Sequence, residues 1–466
     1  MLTSLHIQNF KAWKDTGVIK LAPLTIIFGA NSAGKSSIGH LLLALKQTAL
    51  SADRKRALHL GDDTTLIDLG TFKECLYKHD LAQPLSFELS WLLPKELVVR
   101  DSTQEKEYRG NKLSLNTTLL ANKAEQPQVS KLEFSFRDTK INDEEKLHVT
   151  YSNQNGKISL NVTPFNLVRK MGRVWSLDEL DKFYRISDQS RAYFQNSDFI
   201  IDFSLETEAV LNRLYYLGPL REYPRRIYQW SGDIPESVGS KGEFSIAAIL
   251  AATRMGERKL NRRGKQRLQA FNEFIASWLK DLGIIDSFTV KPIADGRKEY
   301  EVLVKTHGSD SEVKITDVGF GVSQVLPALV QSFYCPPNST VLMEQPEIHL
   351  HPQVQAELAD VFISAIYARE NGKPRNTQLI IESHSEHLLT RIQRRIAEDK
   401  LKQDDIAMYF VKREAGTAQL EPLELDLFGN IKNWPDNFFG NEMGEIFARK
   451  KAAIDKKRKE GNKKNA

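Results

Sequence analysis

The stretch Leu24-Thr25-Ile26-Ile27-Phe28-Gly29-Ala30-Asn31-Ser32-Ala33-Gly34-Lys35-Ser36 decides the fold. An apolar run leads into a loop that contains Gly29 and Gly34. The amphipathic run 37–45 follows this loop. This pattern predicts a buried strand, a tight loop and a helix. Glycines in such a loop let backbone N–H groups face phosphate oxygens, and a helix N-terminus favours negative charge. The sequence therefore predicts a loop that binds nucleotide phosphates.

Particular side chains of this loop have expected roles. Lys35 can reach the β- and γ-phosphates, and the Ser36 hydroxyl can hold Mg²⁺. The whole set expected around the phosphates is Gly29, Asn31, Ser32, Ala33, Gly34, Lys35, Ser36 and Ser37. The alternative is a glycine-rich turn with an exposed lysine.

Composition places the chain among ordinary globular proteins. Of its 466 residues, 41% are hydrophobic and 27% are charged, and its length suits several domains. No apolar run approaches the roughly 18 residues that a membrane span needs, so we expect no membrane partner. The two cysteines, Cys75 and Cys335, are far apart, which fits a reducing, cytoplasmic setting.

The net charge is only +5, but basic residues concentrate in two segments, 254–267 and 449–464. Each can be a solvated surface or a contact with nucleic acid or an acidic partner. The sequence leaves DNA as a possible partner.

Acidic residues end an apolar run late in the chain. Val341-Leu342-Met343-Glu344-Gln345-Pro346-Glu347 predicts a buried strand whose carboxylates face the phosphate loop. One carboxylate can orient Mg²⁺ and another can polarise the attacking water, whereas the alternative is a core strand with solvated ends.

Two further motifs surround this strand in sequence. Leu379-Ile380-Ile381-Glu382-Ser383-His384 places His384 just past another apolar strand, where it can donate to a γ-phosphate oxygen or serve a structural role. Gly319, Gly321 and Ser323 precede an apolar helix and form either a second phosphate-seeking surface or an ordinary turn. A second such surface suggests that two chains complete each other's sites.

These four motifs, in this order, resemble the ABC-type ATPases of the RecF, Rad50 and OLD (overcoming lysogenisation defect) group, over roughly residues 1–50 and 310–390. The resemblance implies ATP and Mg²⁺ as ligands, with Gly29–Ser36 as the Walker A loop and Ser36 and Glu344 at the metal. It implies that His384 is the switch histidine and that residues 319–324 form the signature loop. Residues 425–435 resemble the C-terminal module of a bacterial subfamily of AAA-type ATPases that recurs in anti-phage systems beside a separate nuclease.

The sequence departs from that family at Gln345. The family pattern has a second acid there, and an amide cannot act as a base. Glu347 is the nearest alternative, so the candidate catalytic residues are Glu347, Glu344 and His384, and hydrolysis is expected to be slow unless Glu347 has taken the role. We look for the family's Q-loop near residues 68–72. Phe10, Lys11 and Trp13 are either adenine contacts or core residues.

The expected fold class is α/β, a P-loop ABC-type head with a mixed sheet and flanking helices, split by a long insertion. Residues 1–75 and 311–425 would form the head, and 426–466 a C-terminal module with a disordered basic tail. The insertion, 76–310, would hold a β-rich arm at 84–165, a helical part at 170–285 with a long helix from Arg254 to Leu282, and a hairpin at 288–315.

The sequence is compatible with three functions. The first is an ATP-driven switch that forms a homodimer or higher oligomer and controls a separate effector such as a nuclease in anti-phage defence. The second is a RecF-like repair ATPase that clamps DNA, and the third is a scaffold stabilised by ATP. We expect no nuclease activity in this chain, since we find no Toprim acidic motif after His384.

Overall fold

The structure is a computed structural model that describes most of the chain. The described residues are 1–101, 103, 106–154, 156–172, 175–254, 258–262, 267–306, 308–309, 311–319, 321–414, 416–435 and 438. The expected basic tail lies outside them.

The strands and helices are numbered in chain order. The strands are β1 (Leu2–Phe10), β2 (Trp13–Lys20), β3 (Leu24–Gly29), β4 (Leu85–Asp101), β5 (Lys106–Ala121), β6 (Pro127–Asp138), β7 (Glu144–Gln154), β8 (Lys157–Thr163), β9 (Leu214–Leu217), β10 (Tyr228–Gln229), β11 (Lys259–Asn261), β12 (Gln269–Ala270), β13 (Ser287–Pro292), β14 (Glu299–Lys305), β15 (Val313–Lys314), β16 (Thr340–Glu344), β17 (Arg369–Glu370), β18 (Lys373–Pro374), β19 (Gln378–Glu382), β20 (Ile406–Glu414) and β21 (Thr417–Pro422). The helices are α1 (Lys35–Leu50), α2 (Phe72–Cys75), α3 (Asp188–Ala192), α4 (Phe199–Asn212), α5 (Ser245–Arg254), α6 (Phe271–Asp281), α7 (Gly321–Tyr334), α8 (Pro352–Tyr367) and α9 (Glu386–Ala397).

The central sheet of the described residues has the order β21-β20-β3-β19-β16-β9. All neighbours pair in parallel except β20 and β21, which form an antiparallel edge. Four of these strands are almost continuously apolar, as strands covered on both faces require. The strands predicted before the phosphate loop, before Glu344 and before His384 are thus confirmed as β3, β16 and β19.

A second, antiparallel sheet has the order β2-β1-β4-β5-β6-β7-β8. The alternating residues at 84–165 therefore form half-buried strands, as predicted, and β4 pairs directly with β1. The predicted β-rich arm is in this way one sheet with the N-terminal hairpin. The domain boundaries near residues 75 and 310 stay predictions.

The central sheet separates two hydrophobic cores, because successive side chains of a strand point to opposite faces. Val341 and Met343 of β16 lie in one core, with residues of α5 to α9. Leu342, between them, lies in the other core, with residues of α1, α4 and the antiparallel sheet. The layers are therefore helices, parallel sheet, and then α1 and α4 with the antiparallel sheet.

The predicted helix from Arg254 to Leu282 is wrong over most of its first half. Helix α5 ends at Arg254, and Leu260 belongs to β11, which pairs with β12 and β17. Leu268, within the predicted range, is exposed, and only α6 is helical as predicted. Pairing with a distant strand overrode the local helical spacing here. Residues 255–257 and 263–266 lie outside the described residues.

The predictions for two neighbouring segments are confirmed. The helical character of residues 177–214 is confirmed by α3 and α4, although Leu214 already begins β9, an edge strand of the central sheet. The hairpin turning at Asp295-Gly296 is confirmed by the antiparallel pair β13 and β14.

A buried glutamine, Gln378, connects the two large sheets at the start of β19. Its side-chain oxygen accepts hydrogen bonds from the Leu2 N–H at 3.1 Å and from the Thr340 hydroxyl at 2.9 Å. Its amide nitrogen donates to the carbonyls of Leu2 at 2.8 Å and Ala22 at 3.0 Å. The four bonds use the whole capacity of the amide, so this side chain fixes β1 against the central sheet.

We predict that Gln378→Leu destabilises the protein by about 3 kcal/mol, because three buried backbone groups lose their partner. The midpoint of urea unfolding measures the loss. Gln353→Leu, at an exposed position on α8, is the matched control and should change the midpoint little. Equal midpoints for the two variants would contradict the connecting role of Gln378.

Candidate functional site

The phosphate loop lies between β3 and α1, as predicted, and its glycines are needed for different reasons. Gly29 has φ 147°, and a Cβ atom there would lie 2.4 Å from the Val411 carbonyl oxygen of β20. Gly34 has φ 110° at the N-cap of α1, and a Cβ there would lie 3.0 Å from the Ala12 Cβ. At both positions the positive φ angle and the close approach of another segment of the same chain exclude other residues.

The first turn of α1 is suited to an anion. No side chain caps the helix and no acidic residue stands in its first turn, so backbone N–H groups stay available to a ligand. Asn31 and Ser32 are exposed in the loop, whereas Ala33 is buried. This geometry is typical of a phosphate-binding site.

Trp13 supports the loop from the protein interior. Its indole N–H donates to the Gly34 carbonyl at 3.0 Å and to the Ser37 hydroxyl at 2.9 Å, and the ring is fully buried. Phe10 is fully buried too. Core packing therefore accounts for both aromatic residues, and the Ser37 hydroxyl, itself bonded to the Gly34 carbonyl, serves the loop's shape.

Lys35 is buried at the centre of the site. Its ammonium donates to the carbonyls of Gly29 at 3.0 Å and Ala30 at 2.8 Å, and lies 3.7 Å from a Glu382 oxygen. Burial lowers its pKa, since the charged form loses water. The two carbonyls are partners that a phosphate can replace with stronger, charge-assisted bonds.

Two carboxylates, Glu344 and Glu382, end adjacent parallel strands in direct register. One Glu344 oxygen contacts the Tyr216 hydroxyl at 2.9 Å and the His40 Nε2 at 3.1 Å. The Ser36 side chain lies close enough to Glu382 to lower the pKa of that carboxyl, and the Glu382 Oε2 is buried without a hydrogen-bond partner. Burial raises the pKa of Glu382, and the nearby Glu344 charge raises it further.

Glu347 is held in the turn after β16 and is 5% exposed. Its Oε1 accepts hydrogen bonds from the Ser383 hydroxyl at 2.8 Å and the His384 backbone N–H at 2.7 Å, whereas its Oε2 is buried without a partner. Burial raises the pKa of this carboxyl. One oxygen is therefore fixed and the other is left for a ligand or water.

His384 follows β19, as predicted, and its Nε2 is buried without a partner. Burial lowers the pKa of the imidazole to about 4, and the charge of Lys35 lowers it in the same direction. The ring is thus neutral at pH 7 and can donate only a neutral hydrogen bond.

The glycines of the predicted signature loop stand at the start of α7. The space around a Cβ atom at Gly319 and at Gly321 is open. Ser323 is buried and lines a cavity of about 30 Å³ with Tyr223, Arg225 and other residues. Phe320 lies outside the described residues.

The site fits a nucleotide with its metal ion. Orphaned polar atoms on Glu347, Glu382 and His384 converge near an uncapped helix N-terminus and a buried lysine. Such atoms cost free energy unless a ligand pairs with them. Phosphate oxygens suit the lysine and the N–H groups, and a hard divalent cation suits the carboxylates and Ser36.

Several residues of the site were missed in the sequence. Glu382 could have been found, because it ends the same apolar strand that places His384. His40 lies four residues beyond Ser36 on α1, one helical turn away, which is a weak signal. Tyr216 lies on β9 and Arg221 follows this strand, and neither gave a signal because β9 was not predicted.

The basic segment 254–267 is partly neutralised within the chain. Arg258 pairs with Glu370 at 2.8 Å, and Arg262 pairs with Asp281 and stacks on the Trp278 ring. These arginines are thus engaged inside the fold. No helix among the described residues is long and apolar enough to cross a membrane.

Comparison with protein families identifies the class. A family model described as AAA ATPase domain matches residues 1–208 and 243–389, more than half of the chain. The chain belongs to this family and is an ATPase, with a nucleotide-binding α/β domain split into two segments. A second model, described as a protein of unknown function (DUF3696), matches residues 401–448.

Among curated proteins none matches the chain. Solved structures similar to it include an SmcHead bound to the C-winged helix domain of ScpA, with 11% identity, TM-score 0.40 and coverage of 91% of this chain and 98% of that one. The SMC head domain from Thermotoga maritima has 11% identity, TM-score 0.36 and coverage of 91% and 99%. An Smc head domain with an extended coiled coil, bound to the C-terminal domain of ScpA derived from Pyrococcus furiosus, has 10% identity, TM-score 0.38 and coverage of 91% and 96%. Likeness at this level carries no conclusion about activity or partners.

We predict that Lys35→Ala weakens ATP binding about 100-fold or more, because two or more charge-assisted hydrogen bonds to phosphate are lost. Isothermal titration calorimetry measures the dissociation constant. Lys14→Ala, an exposed lysine on β2, should bind as the unchanged protein does. Tight binding by Lys35→Ala would contradict the assignment of the loop.

Proposed function

We propose that this ATPase is a slowly hydrolysing, ABC-type switch whose two heads pair around ATP and control a separate effector, such as a nuclease, in bacterial anti-phage defence. The observation that carries the proposal is the replacement of the second acid by Gln345 beside a buried, half-bonded Glu347. Such a site is built to retain ATP, and it hydrolyses ATP slowly.

In this proposal residues 29–37 hold the phosphates of ATP. Lys35 and the free N–H groups of α1 bind the phosphate oxygens, and Ser36 with Glu344 holds Mg²⁺, with Glu382 as a further acid beside Ser36. When bound, Mg²⁺ offsets charge on the phosphates and favours their attack by water. Tyr216 and His40 keep Glu344 in a fixed orientation.

Glu347 is the proposed base. Its Oε2 is free to accept a proton from water, and a carboxyl pKa raised by burial makes it a stronger base than an exposed glutamate. The neutral His384 would donate a hydrogen bond to the terminal phosphate. Gln345 cannot take the proton, which leaves one base in a constrained position and favours slow turnover.

The start of α7 supports pairing of two heads. Gly319 and Gly321 leave open backbone before a helix N-terminus without acidic residues, which suits the terminal phosphate held by a second copy. The segment 220–244 carries apolar side chains that are about half exposed or more, namely Leu220, Ile227, Ile234 and Phe244. A second copy of the chain would cover them.

We predict that Glu347→Gln lowers ATP turnover about 100-fold while ATP stays bound, since the base is lost and the phosphate contacts remain. The variant should therefore accumulate as an ATP-bound dimer. Phosphate release measures turnover, and light scattering after size exclusion measures mass with and without ATP.

Gln345→Glu is the reciprocal variant in the same experiment and should raise turnover, because it restores a second carboxylate. Equal turnover in Glu347→Gln and the unchanged protein would remove Glu347 from the role of base. ATP-dependent dimers without any turnover, even in Gln345→Glu, would favour the scaffold.

A DNA clamp of the RecF kind is less well supported. Two arginines of the basic segment, Arg258 and Arg262, are already paired with Glu370 and Asp281. Neutralised side chains contribute little to the phosphate contacts on which DNA affinity depends.

We predict that cells carrying this gene with its neighbouring genes resist phage, and that Lys35→Ala removes the resistance by preventing ATP binding. Plaque counts on matched strains measure it, with Lys14→Ala as the control. Undiminished resistance in the Lys35→Ala strain would contradict an ATP-driven defence switch, whatever the biochemical activity.

A further inference from the structure

Arg221 is a buried arginine at the carboxyl end of the central sheet. It follows β9 by four residues and is 8% exposed. Backbone hydrogen bonds fix the loop on both sides of it, from Gly218 N–H to the Ser240 carbonyl at 2.8 Å and from Glu222 N–H to the Lys241 carbonyl at 2.9 Å. Its position is therefore determined by the fold.

Most of the guanidinium is without a partner in the structure. Nη2 lies 3.5 Å from the Glu344 carbonyl oxygen, a weak contact, whereas Nε and Nη1 are buried with no hydrogen bond. Burying donors of a cation in this way is costly, because the lost water is not replaced. The unpartnered Nε–H and Nη1–H lie on different edges of the planar guanidinium, and each is a free charged donor for an oxyanion.

The charges around Arg221 place it at the ATP site. It interacts electrostatically with Glu344 and Glu347, and Lys35 interacts with the same two carboxylates. The two cations thus flank one acidic pair, Lys35 from the phosphate loop and Arg221 from the β9 side. Burial lowers the pKa of Arg221 to about 10, so the group stays charged at pH 7 but is poorly compensated.

We propose that Arg221 binds the terminal phosphate of ATP held by the same chain, through an unpartnered guanidinium N–H, and so distinguishes ATP from ADP. The inference rests on the proposed binding of ATP at residues 29–37. The family match does not assign this residue, since it covers residues 1–208 and 243–389. The fold thereby places a detector of the γ-phosphate beside the proposed base, Glu347.

The first test compares binding of the non-hydrolysable analogue AMP-PNP and of ADP, each with Mg²⁺, by calorimetry. The unchanged protein should prefer AMP-PNP. Arg221→Met should lose about 10- to 100-fold in AMP-PNP affinity with ADP affinity unchanged, and Arg221→Lys should recover only part, because lysine lacks the planar, poorly hydrated guanidinium. Arg100→Gln, an exposed arginine on β4 outside the site, is the control.

The second test separates ligand binding from a structural role. Without nucleotide, Arg221→Met should raise the melting temperature by about 2 °C, because an uncompensated buried cation is removed. A lowered melting temperature with unchanged nucleotide preference would mean that Arg221 supports Glu344 and the fold, and would overturn the inference.

The two proposals fail in different ways. If the unchanged protein binds neither nucleotide, the proposed ATP site at Lys35 is wrong. If it binds both and Arg221→Met keeps the full preference for AMP-PNP, ATP binding stands and the role of Arg221 is wrong.

Discussion

The parallel register of β3, β19, β16 and β9 is the constraint on which the site depends. Parallel strands end at one edge of a sheet, so the phosphate loop after β3, Glu382, Glu344 and the Arg221 loop are brought together there. Glu344 and Glu382 lie opposite each other because Thr340 pairs with Gln378 at the other end of the same strands. A slip of one residue in β16 or β19 would move Glu344 or Glu382 to the opposite face of the sheet.

Burial of the charged side chains at this edge of the sheet costs folding free energy. It lowers the pKa values of Lys35, His384 and Arg221 and raises those of Glu347 and Glu382, so each group is shifted toward its neutral form. A ligand that carries phosphate charge and a divalent cation supplies the missing partners. Binding of such a ligand offsets the free energy lost by burying these groups.

Much of the fold followed from local sequence. Apolar runs and alternating residues predicted most strands of both large sheets and the loop before α1, because period and turn chemistry are local properties. The helix predicted from Arg254 was wrong, since Leu260 pairs with a strand more than a hundred residues away. Strand β9 was not foreseen because four residues after a helix carry no period of their own.

The sequence by itself determined the phosphate loop, Glu344 at the end of a strand, Glu347 in the turn after it, and His384. Each of these lies in a motif of adjacent residues. Only the tertiary structure decided which side chains meet them. His40 and Glu344 are 304 residues apart and Tyr216 and Glu344 are 128 apart, yet they touch at one carboxylate. Such contacts depend on strand order and register, and these are set by the burial of both cores together rather than by any single segment.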